Sequence, residues 1–205
     1  MFTRLGRHLR PHQGGATLIE LIVFMIIVGV ALAGVLTVFN VSVRSSADPA
    51  IRKQMLALAE SLLEEVQSLP FTWCDPDDRS AATATAGTLD ATATDPAQCW
   101  DAVEGLGVET VSGNTDTRFS ATYPFDNVSD YNGLTNVTTG LSGAAFPTGY
   151  SASISVASSA LSSVPAADSL LITVTVCRAA ACPSAGAETL VLDSYRARYA
   201  PNSLP

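Results

Sequence analysis

Residues 21–39 form an unbroken apolar run, LIVFMIIVGVALAGVLTVF, without one charged side chain. About 20 such residues in a helix cover the roughly 30 Å hydrocarbon core of a bilayer, so the run predicts a membrane-spanning helix. Beyond it, Arg44-Ser45-Ser46-Ala47-Asp48-Pro49 interrupts the pattern. Pro49 removes a helical donor and predicts a kink or restart. A different period then sets in. Ile51, Met55, Leu58, Leu62, Val66 and Leu69 recur at steps of three or four, which places them on one helix face. Arg52, Lys53, Glu60, Glu64 and Glu65 lie off that stripe, and Leu69-Pro70 ends it. Residues 16–69 thus read as one long, kinked helix of about 80 Å.

Further along, the period drops to two. Strands are predicted at 118–123, 150–156, 169–177 and 188–195, with alternating β-branched residues most regular in the last two. Between those two, 178–187 reads as a turn carrying Pro183 and Gly186, while 71–95 reads as a loop. That loop contains the acidic Asp75-Pro76-Asp77-Asp78 and an Ala/Thr-rich stretch at 80–94, and no internal repeat is apparent. The elements add up to an α+β fold, a long helix whose second half carries a small antiparallel β-sheet.

Length and composition narrow the class. A chain of 205 residues has room for one ordinary domain plus attachments. At 47% apolar and 15% charged it is too rich in core formers for a disordered chain. The net charge of −8 is unevenly distributed: residues 1–15 hold Arg4, Arg7 and Arg10 and no acid, whereas 8 basic and 18 acidic residues follow from Arg44 onward. Basic flanks stay on the cytoplasmic side, so the acidic body is expected outside. Nucleic acid is not expected as a partner of that body, because phosphate binding needs displaced counterions and therefore Lys or Arg. A cleaved secretory signal would have a shorter apolar region and an A-x-A site, and Asn40-Val41-Ser42-Val43-Arg44 offers none.

Glu20 stands at the head of the apolar run, where a carboxylate is costly and demands a partner. It is preceded by Gly14-Gly15 and then Ala16-Thr17-Leu18-Ile19. This arrangement, a basic leader, GG-ATLIE and an apolar helix, resembles the class III signal of type IV prepilins and type II secretion pseudopilins. The resemblance implies cleavage after Gly15, N-methylation of Ala16, and a role for Thr17, Leu18, Ile19 and Glu20 in filament assembly. A neighbouring subunit's α-amine would then pair with Glu20 and offset the desolvation of both charges. One departure is Ala16, where the family usually has Phe. The implied organisation is a leader at 1–15, a transmembrane and assembly half of the helix at 16–43, an amphipathic half at 44–69, and a periplasmic or extracellular β-rich domain at 70–205.

Four cysteines, Cys74, Cys99, Cys177 and Cys182, lie in the body. Outside the cytoplasm disulfides are permitted. Proximity favours Cys74 with Cys99 and Cys177 with Cys182 among three connectivities. A four-thiolate zinc site lacks any Cys-x-x-Cys knuckle. Both histidines, His8 and His12, fall in the leader, so Ser-His and Cys-His catalysis is not expected, nor is a cofactor. Asp126, Asp130 and Asn132 offer oxygen ligands near the turn at Gly133. Their spacing does not fit an EF-hand, and turn formation explains them equally well.

The stretch FDNVSDYNGL at 125–134, together with SSADP at 45–49 and AESLLEEV at 59–66, is similar to the D-type biogenesis minor pilins of the mannose-sensitive haemagglutinin pilus. On that resemblance the chain is a non-enzymatic minor pilin that primes or supports pilus assembly. Its partners would be other major and minor pilins, the prepilin peptidase/methyltransferase, the inner-membrane assembly platform and the lipid bilayer. It would sit as a single-pass protein in the bacterial inner membrane, leader in the cytoplasm and body in the periplasm, before joining a surface pilus. The alternatives are a type II secretion minor pseudopilin, a pilus-borne adhesin or DNA-uptake subunit, and a membrane-anchored enzyme.

Overall fold

The computed structural model describes residues 15, 17–111, 113–199 and 202, with the side chains of 41–48 and of Val111 outside that description. Residues 1–14 of the expected leader, Ala16 and the side chains of Ser45, Ser46, Ala47 and Asp48 therefore lie outside the described residues. The chain divides at Pro49 into two compact units. Helix α1, Leu18–Ser68, is assigned through Pro49.

Within the first unit, the described part of α1 begins on Thr17. Its carbonyl accepts the Leu21 N–H at 3.2 Å and its Oγ1 accepts the Glu20 N–H at 3.4 Å. Leu18–Asn40 has a mean hydropathy of 2.9 over 23 residues and is long and apolar enough to cross a membrane. The one hydroxyl in the heart of that stretch is satisfied internally, Thr37 Oγ1 donating to the Ala33 carbonyl at 2.8 Å. Such back-bonding removes a polar group that lipid could not solvate.

The second unit opens with the amphipathic turns of α1. Met55, Ala59, Leu62 and Val66 are completely buried, and Ile51, Leu58 and Leu69 pack at the margin of the same core. The face they form meets a four-stranded antiparallel sheet of order β3-β4-β5-β6: Leu134–Val137, Ser151–Ser158, Ser169–Cys177 and Thr189–Ala197. Strand β5 is central and strictly alternating, with Leu170, Ile172, Val174 and Val176 all in the core. Ala152, Ile154 and Val156 of β4 line the same face. The register runs from Ser151↔Cys177 to Ser158↔Leu170 on one side of β5 and from Ser169↔Ala197 to Cys177↔Thr189 on the other. Each large side chain so buried stabilises by about 1.5–3 kcal/mol relative to exposure. This is an α+β, type IV pilin-like fold.

Strand β3 was not legible from its sequence, because its pairing with β4 shifts between Leu134 and Val137. Asn136 at that shift takes a positive φ of 55°, and its Oδ1 accepts the Cys182 N–H at 2.9 Å, tying β3 to the turn after β5. A further two-residue ladder joins β1, Thr110–Val111, to β2, Asn114–Thr115.

Residues 118–123, expected as a strand, form a turn instead. The Thr117 N–H donates to the Tyr123 carbonyl at 3.0 Å, and Ser120 Oγ accepts the Tyr123 N–H at 3.0 Å. The physical reason is Arg118, which is drawn inward to Glu65. Glu65 is itself a correction: expected off the apolar stripe, it is 3% exposed.

The 71–95 loop and its continuation are ordered without helix or strand, because carboxylates replace the ladder. Asp78 Oδ1 accepts the Ser80 N–H at 2.7 Å and the Trp100 N–H at 3.2 Å, while Oδ2 accepts the Ala102 N–H at 2.8 Å. Asp90 likewise collects the N–H groups of Thr92, Thr94 and Asp95. A small second core of Cys74, Ala81, Ala84 and Cys99, backed by Trp73 and Val103, lies beneath.

Candidate functional site

The N-terminal segment comes first. Gly15 is exposed, and a Cβ there would meet nothing within 4 Å among the described residues. The packing of the described residues therefore does not require glycine at this position. Thr17 and Glu20 stand in the Thr-x-x-Glu spacing of a capping box, of which the Glu20 N–H to Thr17 Oγ1 bond is one half. A carboxylate in the first turn also complements the positive end of the helix. Local helix chemistry thus accounts for Thr17 and for an acid at position 20. It does not account for Leu18 and Ile19, which are 78% and 67% exposed and bring apolar surface to the same end. Ala16 lies outside the described residues.

All four cysteines are bonded, Cys74 to Cys99 with Cα atoms 5.4 Å apart and Cys177 to Cys182 at 5.5 Å. The first anchors the start of the ordered loop to its far end. The second closes the turn between β5 and β6.

A third constellation lies beside the first disulfide. Asp75, next to Cys74, is 1% exposed, and its Oδ1 accepts the Asp77 N–H at 2.7 Å. The chain returns past Cys99 and lays 104–109 alongside, through the Glu104 N–H to the Trp73 carbonyl at 3.1 Å and the Gly107 N–H to the Ser129 carbonyl at 3.0 Å. That places Glu104 and Glu109 near Asp75. Asp116 enters after β2, and Asp126 and Asp130 flank the start of a short 3-10 turn, Val128–Tyr131. Asp130 Oδ2 accepts the N–H groups of Asp126 and Asn127, both at 2.9 Å. Asn127 is held in turn by Thr72, whose Oγ1 accepts its side-chain amide at 2.6 Å.

Three overlapping carboxylate triads result: Asp75, Glu104 and Glu109; Asp75, Asp77 and Asp126; and Asp116, Asp126 and Asp130. Within each, one oxygen per residue lies within 4.8 Å of the others. Burial, reinforced by the neighbouring charges, raises Asp75, Glu104, Glu109, Asp116, Asp126 and Asp130. Glu104 is pushed up to about 10, chiefly by burial and then by Glu109. Asp126 rises to about 8, and Asp75 and Asp116 to about 6, burial again leading and Asp130 among the charges that add to it. Glu109 and Asp130 are raised by burial too.

Of the residues singled out from the sequence, the structure brings Asp126 and Asp130 together but sends Asn132 elsewhere. Its Oδ1 accepts the Val156 N–H of β4 at 3.0 Å. Asp75, Asp77, Glu104, Glu109 and Asp116 were missed as members of this cluster. Only the run Asp75-Pro76-Asp77-Asp78 hinted at them, and Asp78 proves to be scaffold.

An apolar helix headed by Thr17-Leu18-Ile19-Glu20 and a small antiparallel sheet on the later turns of α1 are the arrangement that the resemblance to type IV prepilins implies. Comparison with protein families bears on the first part: residues 10–36 match the prokaryotic N-terminal methylation motif, which marks type IV pilins and pseudopilins. No curated protein and no solved structure matches the chain.

Proposed function

We propose that the chain is a minor type IV pilin, cut after Gly15 and methylated on Ala16 by prepilin peptidase, then incorporated into a pilus to prime or support its assembly. The observation that carries this reading is the match at residues 10–36. It heads a 23-residue apolar stretch and is followed by a disulfide-bonded α+β unit. Glu20, exposed within its own chain, is free to meet a neighbour's amine. The resemblance of 125–134 to D-type biogenesis proteins of the mannose-sensitive haemagglutinin pilus supports that system. The domain would lie in the periplasm before assembly and at the cell surface afterwards.

The test is the intact mass of membrane-extracted protein from cells with and without prepilin peptidase. Loss of residues 1–15 and gain of one methyl, only where the peptidase is present, is the expected result. An uncut chain in both strains would leave a plain membrane anchor. The methylation motif is shared with type II secretion pseudopilins, which forms the second reading. A deletion that abolishes pili but spares exoprotein release favours the pilus, and the reverse favours secretion.

A further inference from the structure

The carboxylate triads beside the first disulfide present an unbalanced charge. Asp75 and Asp130 are 1% exposed and Asp116 is 5% exposed. Among the described residues, no Lys or Arg forms an ion pair with any member of the triads, although Arg79, Arg118 and Arg198 each pair with an acid elsewhere. Among the described residues Glu104 Oε2, Glu109 Oε2 and Asp126 Oδ1 are buried without a donor, and Glu109 and Asp130 face each other close enough to share one proton. Asp116 accepts no side-chain hydrogen bond among the described residues, yet its carboxylate points at those of Asp126 and Asp130. Native proteins rarely bury acids this way. A buried carboxylate is paired, protonated or bound to a metal.

Protonation alone would explain one or two neutral acids hydrogen-bonded to each other. It does not explain why four separate chain segments converge with oxygens left unsatisfied. We propose that Asp75, Glu104, Glu109, Asp116, Asp126 and Asp130 form a calcium-binding site.

The donor set decides the metal. All ligands are hard oxygens, the four cysteines are consumed in disulfides and no histidine is among the described residues, which disfavours the soft and borderline ions. Calcium takes six to eight oxygens in flexible geometry, including bidentate carboxylates. Magnesium demands a strict octahedron and keeps its waters, so a crowd of protein carboxylates suits it poorly. Asp75 and Asp126, each shared by two triads, are positioned to bridge the site. The ion would join the loop following α1 to the 104–109 segment, to Asp116 after β2 and to the 3-10 turn, doing for these four segments what a ladder does in the sheet. The assignment is independent of which filament, if any, the chain enters.

The test uses the full chain in detergent micelles, melted in chelator, in calcium and in magnesium, with calcium binding followed by calorimetry. Saturating calcium is expected to raise Tm by about 5–10 °C, with magnesium giving a much smaller shift. The double variant Asp116→Asn/Asp126→Asn is expected to lose the calcium response, while its Tm in chelator equals or exceeds that of the wild type because repulsion has been removed. The pairing of that gain with that loss would not follow from a merely structural role. Calcium without effect on the wild-type Tm and without binding heat would overturn the assignment. So would an equal response to magnesium, or a calcium response that survives in the variant.

Discussion

Arg118 clasps Glu65 across 53 residues of sequence, Nε to Oε1 and Nη2 to Oε2, each at 2.6 Å. The two side chains are 9% and 2% exposed. The remaining lone pairs and protons are also used: the Tyr131 hydroxyl donates to Glu65 Oε1 at 2.9 Å and Arg118 Nη1 donates to the Thr139 carbonyl at 2.9 Å. Burial, and then the Glu65 charge, holds the Tyr131 phenol well above its ordinary range. A bidentate pair this complete costs little while intact, but removing one partner strands the other in the core. Glu65→Gln is expected to destabilise by about 3–5 kcal/mol, and Glu65→Met/Arg118→Met by clearly less. Urea denaturation of the two variants would check it. A single variant no worse than the double would mean that the pair is solvated.

That pair also shows where sequence reading stops. The stripe Met55, Leu62, Val66 was legible because burial follows helical period, and Ser169–Cys177 was legible to the residue because β-branched side chains alternate without a break. Glu65 reads as a solvated acid beside Val66, since nothing within one helix turn reports a guanidinium that arrives 53 residues later. The same blindness hid the carboxylate triads. Their members are scattered from Asp75 to Asp130, with no recurring spacing, and they meet only where the fold brings four segments together beside Cys74–Cys99 and the 3-10 turn. Asn132 erred the other way: its place in an Asp/Asn/Gly cluster suggested a ligand, whereas its side chain caps a backbone donor of β4.

The two disulfides should differ in worth. Cys74 and Cys99 are separated by 25 residues and Cys177 and Cys182 by 5. In the chain-entropy picture the longer loop loses more freedom on cross-linking, giving about 3.5 kcal/mol against about 2 kcal/mol. Cys74→Ser/Cys99→Ser is therefore expected to lower stability more than Cys177→Ser/Cys182→Ser. Melting curves of both pairs would decide it, and the reverse order would contradict the entropic account.

On the proposed function, a Glu20 variant should separate processing from assembly. Its local work, a carboxylate in the first turn of α1, contributes only about 0.3–1 kcal/mol through the helix dipole. A charge-assisted bond to a neighbour's amine would be worth about 1.5–3 kcal/mol, or roughly tenfold or more in incorporation. Glu20→Val should leave cleavage after Gly15 and membrane insertion unchanged while depleting the subunit from the filament fraction. Immunoblots of sheared filaments and of membranes would show it. Equal amounts of wild type and variant in the filaments would remove Glu20 from assembly.

The buried acids set the sign of the pH dependence. In the calcium-free folded chain Asp126 titrates near 8 and Asp75 and Asp116 near 6. In an unfolded chain aspartates titrate near about 4. Between those values the folded state binds more protons than the unfolded one, so stability falls as pH rises from about 4 to about 8. Below that window both states are protonated and the penalty vanishes. Asp78 does not contribute to the slope there: burial would raise it, but the N–H groups of Ser80, Ala102 and Asp101 outweigh burial and hold it below the ordinary range. In chelator, Tm is expected to be several degrees higher at about pH 5 than at about pH 8, on the order of 1–3 kcal/mol. Calcium should flatten or invert that slope, because the metal competes with protons for the same oxygens and binds best where they are ionised. A flat profile in chelator would mean that these carboxylates titrate as if exposed, while a slope that persists unchanged in calcium would separate the acids from any metal.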